Sequence, residues 1–182
     1  MWPGRVGARP GDLVAVTGCL GASSAALALL SERPAPLDPA AAPLLAAHHR
    51  PLPRLAAGQL LASRGVRCAI DISDGLASEA LHLARASGVG IEIDVGRVPL
   101  APAAVRLLGE RRSRELALTG GEDYELLFAF DPGFSDELAS ALESEGGLTV
   151  LGEVTERVAT STVQFIEAGQ PLDLAQNGYV AF

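Results

Sequence analysis

The sequence predicts a layered α+β domain in which helices cover a mixed β-sheet. Of its 182 residues, 48% are apolar, which is enough to fill one sizeable core and favours a single compact domain. Short apolar runs typical of buried strands alternate along the chain with longer stretches that have helical periodicity. Strands and helices that alternate in this way are typical of a sheet packed against helices.

The first half of the chain contains one predicted strand and three predicted helices. Residues 13–17 form a short apolar run that ends at Gly18, as a buried strand does. The alanine-rich residues 23–30 predict a helix. Two more helices are predicted near residues 41–48 and 54–63, on either side of a proline-containing break.

The second half contains two predicted strand-helix-strand units and a final strand. The first unit comprises a strand at 67–72, a helix at 75–86 stopped by Gly88, and an alternating strand at 91–95. The second unit comprises a strand at 125–130, a helix at about 135–144, and a strand at 148–154. A last strand is predicted at 163–166.

The charged residues exclude several functions. There are 22 acidic and 14 basic residues, so the net charge of −8 disfavours a nucleic-acid partner. All fourteen basic residues are arginine. The lack of lysine removes the phosphate-loop lysine, the Schiff-base lysine and the lysine general base together.

The cysteine and hydropathy patterns predict a cytoplasmic protein with reduced thiols. Cys19 and Cys68 lie in apolar stretches without a second thiol at a zinc-like spacing, so both are expected to be buried. No apolar run reaches the roughly 20 residues that a membrane span requires. We therefore expect no membrane partner.

The first candidate site is the run Ala-Ile-Asp-Ile-Ser-Asp-Gly-Leu at residues 69–76. Asp71 and Ser73 alternate with two isoleucines, so they should share one face of the strand, about 7 Å apart. A carboxylate inside an apolar strand is expected to be paired or to bind a cation, which makes Asp71 and Asp74 candidate Mg²⁺ ligands. The alternative is an ordinary helix start capped by Asp74, which leaves Asp71 unexplained.

The second candidate site is the run Leu-Thr-Gly-Gly-Glu-Asp-Tyr-Glu at residues 118–125. Paired glycines let the backbone approach a ligand, whereas three carboxylates within four residues would repel a phosphate. Bound magnesium would offset that repulsion, or Glu122 could accept hydrogen bonds from an amine-bearing or cationic substrate group. The alternative is a polar turn with Tyr124 at the surface.

Together with three further strings, these two runs resemble the thiamine-monophosphate kinase family over residues 6–182. The further strings are Gly-Ala-Arg-Pro-Gly-Asp at 7–12, Val-Thr-Gly followed by Leu-Gly within 16–21, and Pro-x-Pro-Arg at 51–54. The wider superfamily includes aminoimidazole ribonucleotide synthetase, selenophosphate synthetase and a hydrogenase maturation protein. The resemblance implies the α/β C-terminal domain of that superfamily.

The resemblance implies transfer of the ATP γ-phosphoryl group to thiamine monophosphate, giving thiamine diphosphate, with Mg²⁺ as cofactor and ATP as co-substrate. Asp71 and Asp74 match magnesium ligands in the family pattern, and Ser73 matches a nucleotide contact. Glu122 and Tyr179 match substrate contacts. The chain departs from the family pattern at Ala22, Glu79 and Val180-Ala181.

The resemblance also implies that residues 1–182 are a single C-terminal domain and that an N-terminal ATP-binding domain is absent from this chain. That domain carries most of the family's magnesium ligands and the usual dimer interface, so we expect no turnover by this chain alone. The expected partners are the missing domain and, in a homodimer, a second copy. Two alternatives remain. One is another ATP-dependent enzyme of the superfamily, and the other is a non-catalytic module that binds a nucleotide or a partner.

Overall fold

A seven-stranded mixed sheet forms the centre of the part of the chain that the computed structural model describes, which is residues 3–32, 38–157 and 163–174. The strands are β1 (Leu13–Thr17), β2 (Cys68–Asp71), β3 (Gly90–Asp94), β4 (Leu126–Phe130), β5 (Leu148–Thr155), β6 (Val163–Glu167) and β7 (Gln170–Leu172). Their order in the sheet is β2-β4-β1-β5-β3-β6-β7.

Neighbouring strands of this sheet run antiparallel, except β3 and β6, which are parallel. The strand at one end, β2, pairs with β4 in a register that places Asp71 opposite Leu126. The two strands that carry the candidate motifs are therefore direct neighbours. The prediction of a mixed sheet is confirmed.

Seven helices of the described residues cover the sheet and one another. They are α1 (Ala22–Glu32), α2 (Ala42–His49), α3 (Leu55–Ser63), α4 (Leu76–Ser87), α5 (Pro102–Leu108), α6 (Glu110–Thr119) and α7 (Ser135–Leu142). The helices predicted in 23–30, 41–48, 54–63, 75–86 and 135–144 are confirmed, with ends that differ by up to two residues.

The core is divided by the sheet into two main clusters. Because successive side chains of a strand point to opposite faces, Leu127 of β4 packs in one cluster and Phe128 in the other. The first cluster contains buried residues of α4 and α6, including Leu83 and Leu118. The second contains buried residues of α3 and α7, including Leu61. A smaller third cluster joins α1, α2 and α5.

Helices α5 and α6 and strand β7 were not predicted from the sequence. Helix α6 is mostly polar and buries only Ser113, Ala117 and Leu118, so few apolar residues mark it in the sequence. Strand β7 has three residues, which is too short for a recognisable alternation.

One of the two cysteine predictions is wrong. Cys68 is buried as predicted, whereas Cys19 is exposed. Cys19 follows the last residue of β1 and lies in the turn that leads to α1, outside the apolar run that suggested burial. Among the described residues, no helix is both long and apolar enough to span a bilayer.

Candidate functional site

The first motif lies where β2 ends and α4 begins. Ile70 and Ile72 are buried as predicted, and Ser73 is partly exposed. Asp71 is exposed, because it is the last residue of β2, a strand at the end of the sheet. The expectation of a carboxylate buried in an apolar strand is therefore wrong, and Asp71 instead presents its carboxylate to solvent.

The alternative that Asp74 caps helix α4 is also wrong. The residue before the helix is Gly75, and no side chain makes a capping hydrogen bond there. Instead Glu79, buried in the first turn, accepts hydrogen bonds from the Ser73 hydroxyl at 3.2 Å and from the Asp74 amide at 3.3 Å. The Asp74 carboxylate is left exposed and outside the helix.

The carboxylates of Asp71 and Asp74 make no ion pair with an arginine of the described residues. Exposed carboxylates without a cationic neighbour suit Mg²⁺, which keeps several waters and takes one or two protein carboxylates together with substrate phosphates. Within residues 3–32, 38–157 and 163–174, no group of three or more potential metal ligands lies close enough to hold an ion. These two residues would thus supply only part of a metal site.

The second motif is held against the first by backbone contacts. The Glu122 amide donates to the Ser73 carbonyl and the Tyr124 amide donates to the Ile72 carbonyl, both at 2.9 Å. Gly121 is needed for this approach, because a Cβ atom at that position would lie 2.0 Å from the Ser73 carbonyl oxygen. The two motifs, about fifty residues apart in sequence, therefore form one site.

Glu122 and Tyr124 have an uncommon backbone conformation. Their φ angles are 68° and 53°, in the left-handed region that residues with a side chain rarely adopt. Such strain persists only where surrounding contacts impose it, and it concentrates at functional sites. The strained backbone turns both side chains outward and leaves Asp123 between them pointing inward.

Glu122, Tyr124, Asp71 and Asp74 form a surface that we call the acidic edge. The Tyr124 hydroxyl donates to Glu122 Oε2 at 2.8 Å. This hydrogen bond and the Glu122 charge raise the pKa of Tyr124, and the charges of Asp71 and Asp74 act in the same direction. The charges of all three carboxylates thus act on the pKa of the Tyr124 phenol, and the three lie on the same side of the molecule.

Glu125, the last carboxylate of the second motif, is buried and neutralised. Arg54 donates to both of its oxygens, from Nε to Oε2 at 2.8 Å and from a terminal nitrogen to Oε1 at 2.6 Å. The Thr17 hydroxyl adds a third hydrogen bond at 2.7 Å. The Pro-x-Pro-Arg string therefore serves to neutralise Glu125, a link that the sequence does not reveal.

Asp123 also points inward, towards the start of α1. Its Oδ2 accepts a hydrogen bond from the Gly21 amide at 2.8 Å, while its Oδ1 is inaccessible to water and has no partner among the described residues. Burial raises the pKa of Asp123 to about 7, against the lowering effect of the nearby amides. Of the motif's three carboxylates, only Glu122 is therefore exposed to solvent, so fewer charges than the sequence suggests would repel a phosphate here.

A cavity of about 470 Å³ lies beside the acidic edge, within the size range of small-molecule sites. Asp71 and Tyr124 form part of its wall, and Arg54 lies at the wall with its guanidinium bound to Glu125. The other wall residues are largely apolar and include Leu55, Leu61, Ala69 and Leu126. The site thus combines an apolar space with a carboxylate-bearing rim.

The histidines, to which the sequence assigns no role, lie away from this edge. His48 shares a hydrogen bond of 2.9 Å with the Ser23 hydroxyl near the start of α1. Tyr179, the fifth predicted site residue, lies outside the described residues.

Residues 9–163 match the family described as AIR synthase related protein, C-terminal domain. The thiamine-monophosphate kinase of Escherichia coli (strain K12) is 38% identical over 180 residues, which cover 98% of this chain and 54% of that protein. The chain thus spans about half the length of this curated relative.

Solved structures agree with this assignment. The thiamine-monophosphate kinase of Stenotrophomonas maltophilia K279a superposes with a TM-score of 0.82 at 31% identity, covering 93% of this chain and 54% of that one. AaThiL complexed with AMPPCP and TMP gives a TM-score of 0.75 at 34% identity, covering 94% and 52%. The chain belongs to the family of AIR synthase related protein C-terminal domains, and within that family it resembles the thiamine-monophosphate kinases.

Proposed function

We propose that this chain supplies the C-terminal half of a thiamine-monophosphate kinase, which transfers the ATP γ-phosphoryl group to thiamine monophosphate and forms thiamine diphosphate. The observation that carries the proposal is the acidic edge: backbone hydrogen bonds join the motif of Asp71 and Asp74 to that of Glu122, whose carboxylate accepts from the Tyr124 hydroxyl. Full-length relatives are about twice as long. In this proposal, turnover also needs the part of the kinase that residues 1–182 do not match.

Asp71 and Asp74 are the residues that would hold Mg²⁺. Both carboxylates are exposed, and the hydrogen bonds of Glu79 fix the backbone that carries Asp74. When bound, the ion would neutralise the phosphate oxygens, so that an anionic nucleotide is tolerated at an edge of negative charge. The remaining ligands would come from the phosphates, from water and from the N-terminal domain.

Ser73 and Glu122 are the residues that would contact the reactants. The Ser73 hydroxyl lies between the two metal-ligand candidates in sequence and donates to Glu79 at 3.2 Å, so it would exchange this hydrogen bond for one to a nucleotide phosphate. Glu122 accepts from the Tyr124 hydroxyl through one oxygen, which leaves the other free to accept from an amine-bearing or cationic substrate group. Tyr179 is proposed as a further substrate contact on the strength of the sequence motif.

The cavity next to this edge gives the substrate's organic part an apolar space. Its volume of about 470 Å³ and its largely apolar wall suit a heteroaromatic group, and the charged residues at the wall are Asp71, Arg5 and the Glu125-bound Arg54. Phosphoryl transfer depends mainly on positioning and on neutralising charge, so this chain contributes by orienting the acceptor and excluding water from it.

The test titrates the ATP analogue AMPPCP by calorimetry, with and without Mg²⁺, into the complex of this chain with the N-terminal half of a thiamine-monophosphate kinase. We expect binding that depends on Mg²⁺ and weakens at least about tenfold in Asp71→Asn and Asp74→Asn, since each loses a charged ligand. Asp131→Asn is the matched control, because this exposed aspartate lies at the end of β4 away from the acidic edge. Equal binding by all variants would refute the proposed metal site.

A second experiment tests the reaction. Purified chain mixed with ATP, Mg²⁺ and thiamine monophosphate should form no thiamine diphosphate, and co-expression with the N-terminal half of a relative should restore turnover. Robust turnover by the chain alone would refute the need for the second half. Turnover absent from the combined halves, with another phosphorylated product in its place, would favour a different enzyme of the superfamily.

A further inference from the structure

Asp123 lies between the two residues of the acidic edge that have strained backbones. Glu122 and Tyr124 both have left-handed φ angles, and their side chains meet outside the loop through a hydrogen bond of 2.8 Å. A left-handed backbone at each of these two residues costs about 1–3 kcal/mol, so other contacts must hold the loop in place.

The Asp123 side chain makes the longest-range of these contacts. Its Oδ2 accepts from the Gly21 amide at the start of α1, 102 residues earlier in the chain, and the amides of Ala22 and Ser23 also lie near its carboxyl group. A carboxylate at a helix N-terminus is favoured by the free amides and by the helix dipole. This hydrogen bond connects the start of helix α1 to the loop of residues 120–125 on the side of the loop that faces the protein interior.

A weaker contact supports the same arrangement. The Ser24 hydroxyl of α1 donates to the Gly121 carbonyl at 3.2 Å. The buried Oδ1 of Asp123 has no hydrogen-bond partner in the described part of the chain, so this carboxyl group is not placed there to maximise stability. Buried groups with unsatisfied atoms are retained where they serve a site.

We propose that Asp123 is the positioning residue of the acidic edge: its carboxyl group binds the amides that open α1 and so holds Glu122 and Tyr124 in the conformation that joins their side chains. The function of Glu122 in this account rests on the proposed kinase function, whereas the tie between α1 and the loop does not.

The protonation state of Asp123 changes the strength of this tie. A carboxylate accepts a stronger hydrogen bond from an amide than a neutral carboxyl group does, so protonation loosens the loop. The titratable and charged groups that surround Asp123 or its partners are Glu125, Arg54, Cys19 and His48. Variants must therefore separate the titration of Asp123 from that of His48.

The first experiment follows ionisation of Tyr124 by ultraviolet absorbance in the full chain. Tyr124→Phe identifies its signal, since the chain has two tyrosines. In Asp123→Asn the Tyr124–Glu122 hydrogen bond should weaken, and the pKa of Tyr124 should fall towards its ordinary value. Asp131→Asn, which loses a comparable aspartate-to-amide contact at Gly133, should leave it unchanged. A folded Asp123→Asn variant with an unaltered Tyr124 titration would overturn the proposal.

The second experiment needs no destabilising variant. Amide signals of Glu122 and Tyr124 in the unmodified protein, followed by nuclear magnetic resonance, should shift together in one transition near pH 7. That transition should persist in His48→Gln and vanish in Asp123→Asn. In the unmodified protein, Glu122 and Tyr124 signals that do not shift together with the ionisation of the Asp123 carboxyl group would refute the tie even if Asp123→Asn does not fold.

Binding of thiamine monophosphate separates this inference from the proposed function. If the unmodified chain does not bind it while the Tyr124 titration responds to Asp123→Asn, the positioning role stands and the substrate assignment fails. If the ligand binds equally well to both proteins and the titration does not respond, the positioning role fails and the substrate assignment stands.

Discussion

Replacing Arg54 by methionine should destabilise the fold through the carboxylate it leaves behind. Arg54 donates two hydrogen bonds of 2.6 and 2.8 Å to Glu125, which is only 5% exposed. Breaking a buried ion pair from one side lowers stability by about 3–5 kcal/mol, because the remaining charge stays desolvated. Since the Arg54 side chain is itself 30% exposed, we expect about 3 kcal/mol, the low end of this range.

Arg64→Met is the matched control for this change. Arg64 makes an equally short contact of 2.6 Å with Glu137, but its side chain is 35% exposed and that of Glu137 is 51% exposed. Exposed pairs contribute about 0–1 kcal/mol, so the control should lose little stability. Both pairs join an arginine to a glutamate at 2.6 Å, but Glu125 is buried and bound through both oxygens, whereas Glu137 is about half exposed and bound through one.

The assay is urea denaturation of both variants at pH 8 and pH 4, followed by circular dichroism. A loss of about 3 kcal/mol corresponds to a melting temperature lower by about 6–12 °C for a domain of this size. In Arg54→Met, the Glu125 carboxylate stays buried without a cationic partner. This costs stability only while the carboxylate is charged, so the loss should be smaller in acid, where protons neutralise carboxylates, than at pH 8.

The Arg54→Met deficit should therefore be larger at pH 8 than at pH 4. Equal deficits for the two arginine variants at pH 8 would show that the buried bridge contributes no more than a surface pair. A deficit for Arg54→Met that does not change with pH would show that Glu125 is not the source of the loss.

Three further predictions concern the loop and its support. The pKa of Asp123 is raised from 3.8 to about 7, so the folded protein binds this proton more tightly than the unfolded chain does. The free energy of unfolding should therefore fall as the pH rises from about 4 to above 7, by at most about 4 kcal/mol. Denaturation of Asp123→Asn across this range should lack that dependence. Gly121→Ala should lower the melting temperature and disturb ligand binding, since its Cβ would meet the Ser73 carbonyl at 2.0 Å, whereas Gly4→Ala meets nothing within 4 Å and should be nearly neutral. Glu79→Ala removes the acceptor of the Ser73 hydroxyl and should destabilise by about 1–3 kcal/mol in chemical denaturation; an unchanged midpoint would contradict this.

The regular elements that the sequence predicts are those whose pattern lies within the element itself. Strand β1 and helix α4 are examples, because an apolar run ended by glycine and an apolar stripe at helical spacing can be recognised without knowing the partners. Helix α6 was missed because its exposed face dominates its composition. The order of the strands could not be predicted either, since β2 and β3 flank one helix in sequence yet have three other strands between them in the sheet.

The site residues divide in a similar way. The two motifs and their carboxylates are visible in the sequence, and the structure joins the motifs through the contact of Gly121 with Ser73. Whether Asp71 is buried was misjudged, because the sequence does not show that β2 lies at the end of the sheet. The assignments of Asp71, Asp74, Ser73, Glu122 and Tyr179 to ligands remain predictions.

The sequence by itself determined the fold class, the family and the two motifs, because contiguous residues carry these patterns. Only the tertiary structure decided which carboxylates of the second motif are exposed to solvent and which point inward. Glu125 is neutralised by an arginine 71 residues away, and Asp123 is turned inward to amides 102 residues away. A carboxylate's charge and direction depend on the groups that surround it in space, and those groups are distant in sequence.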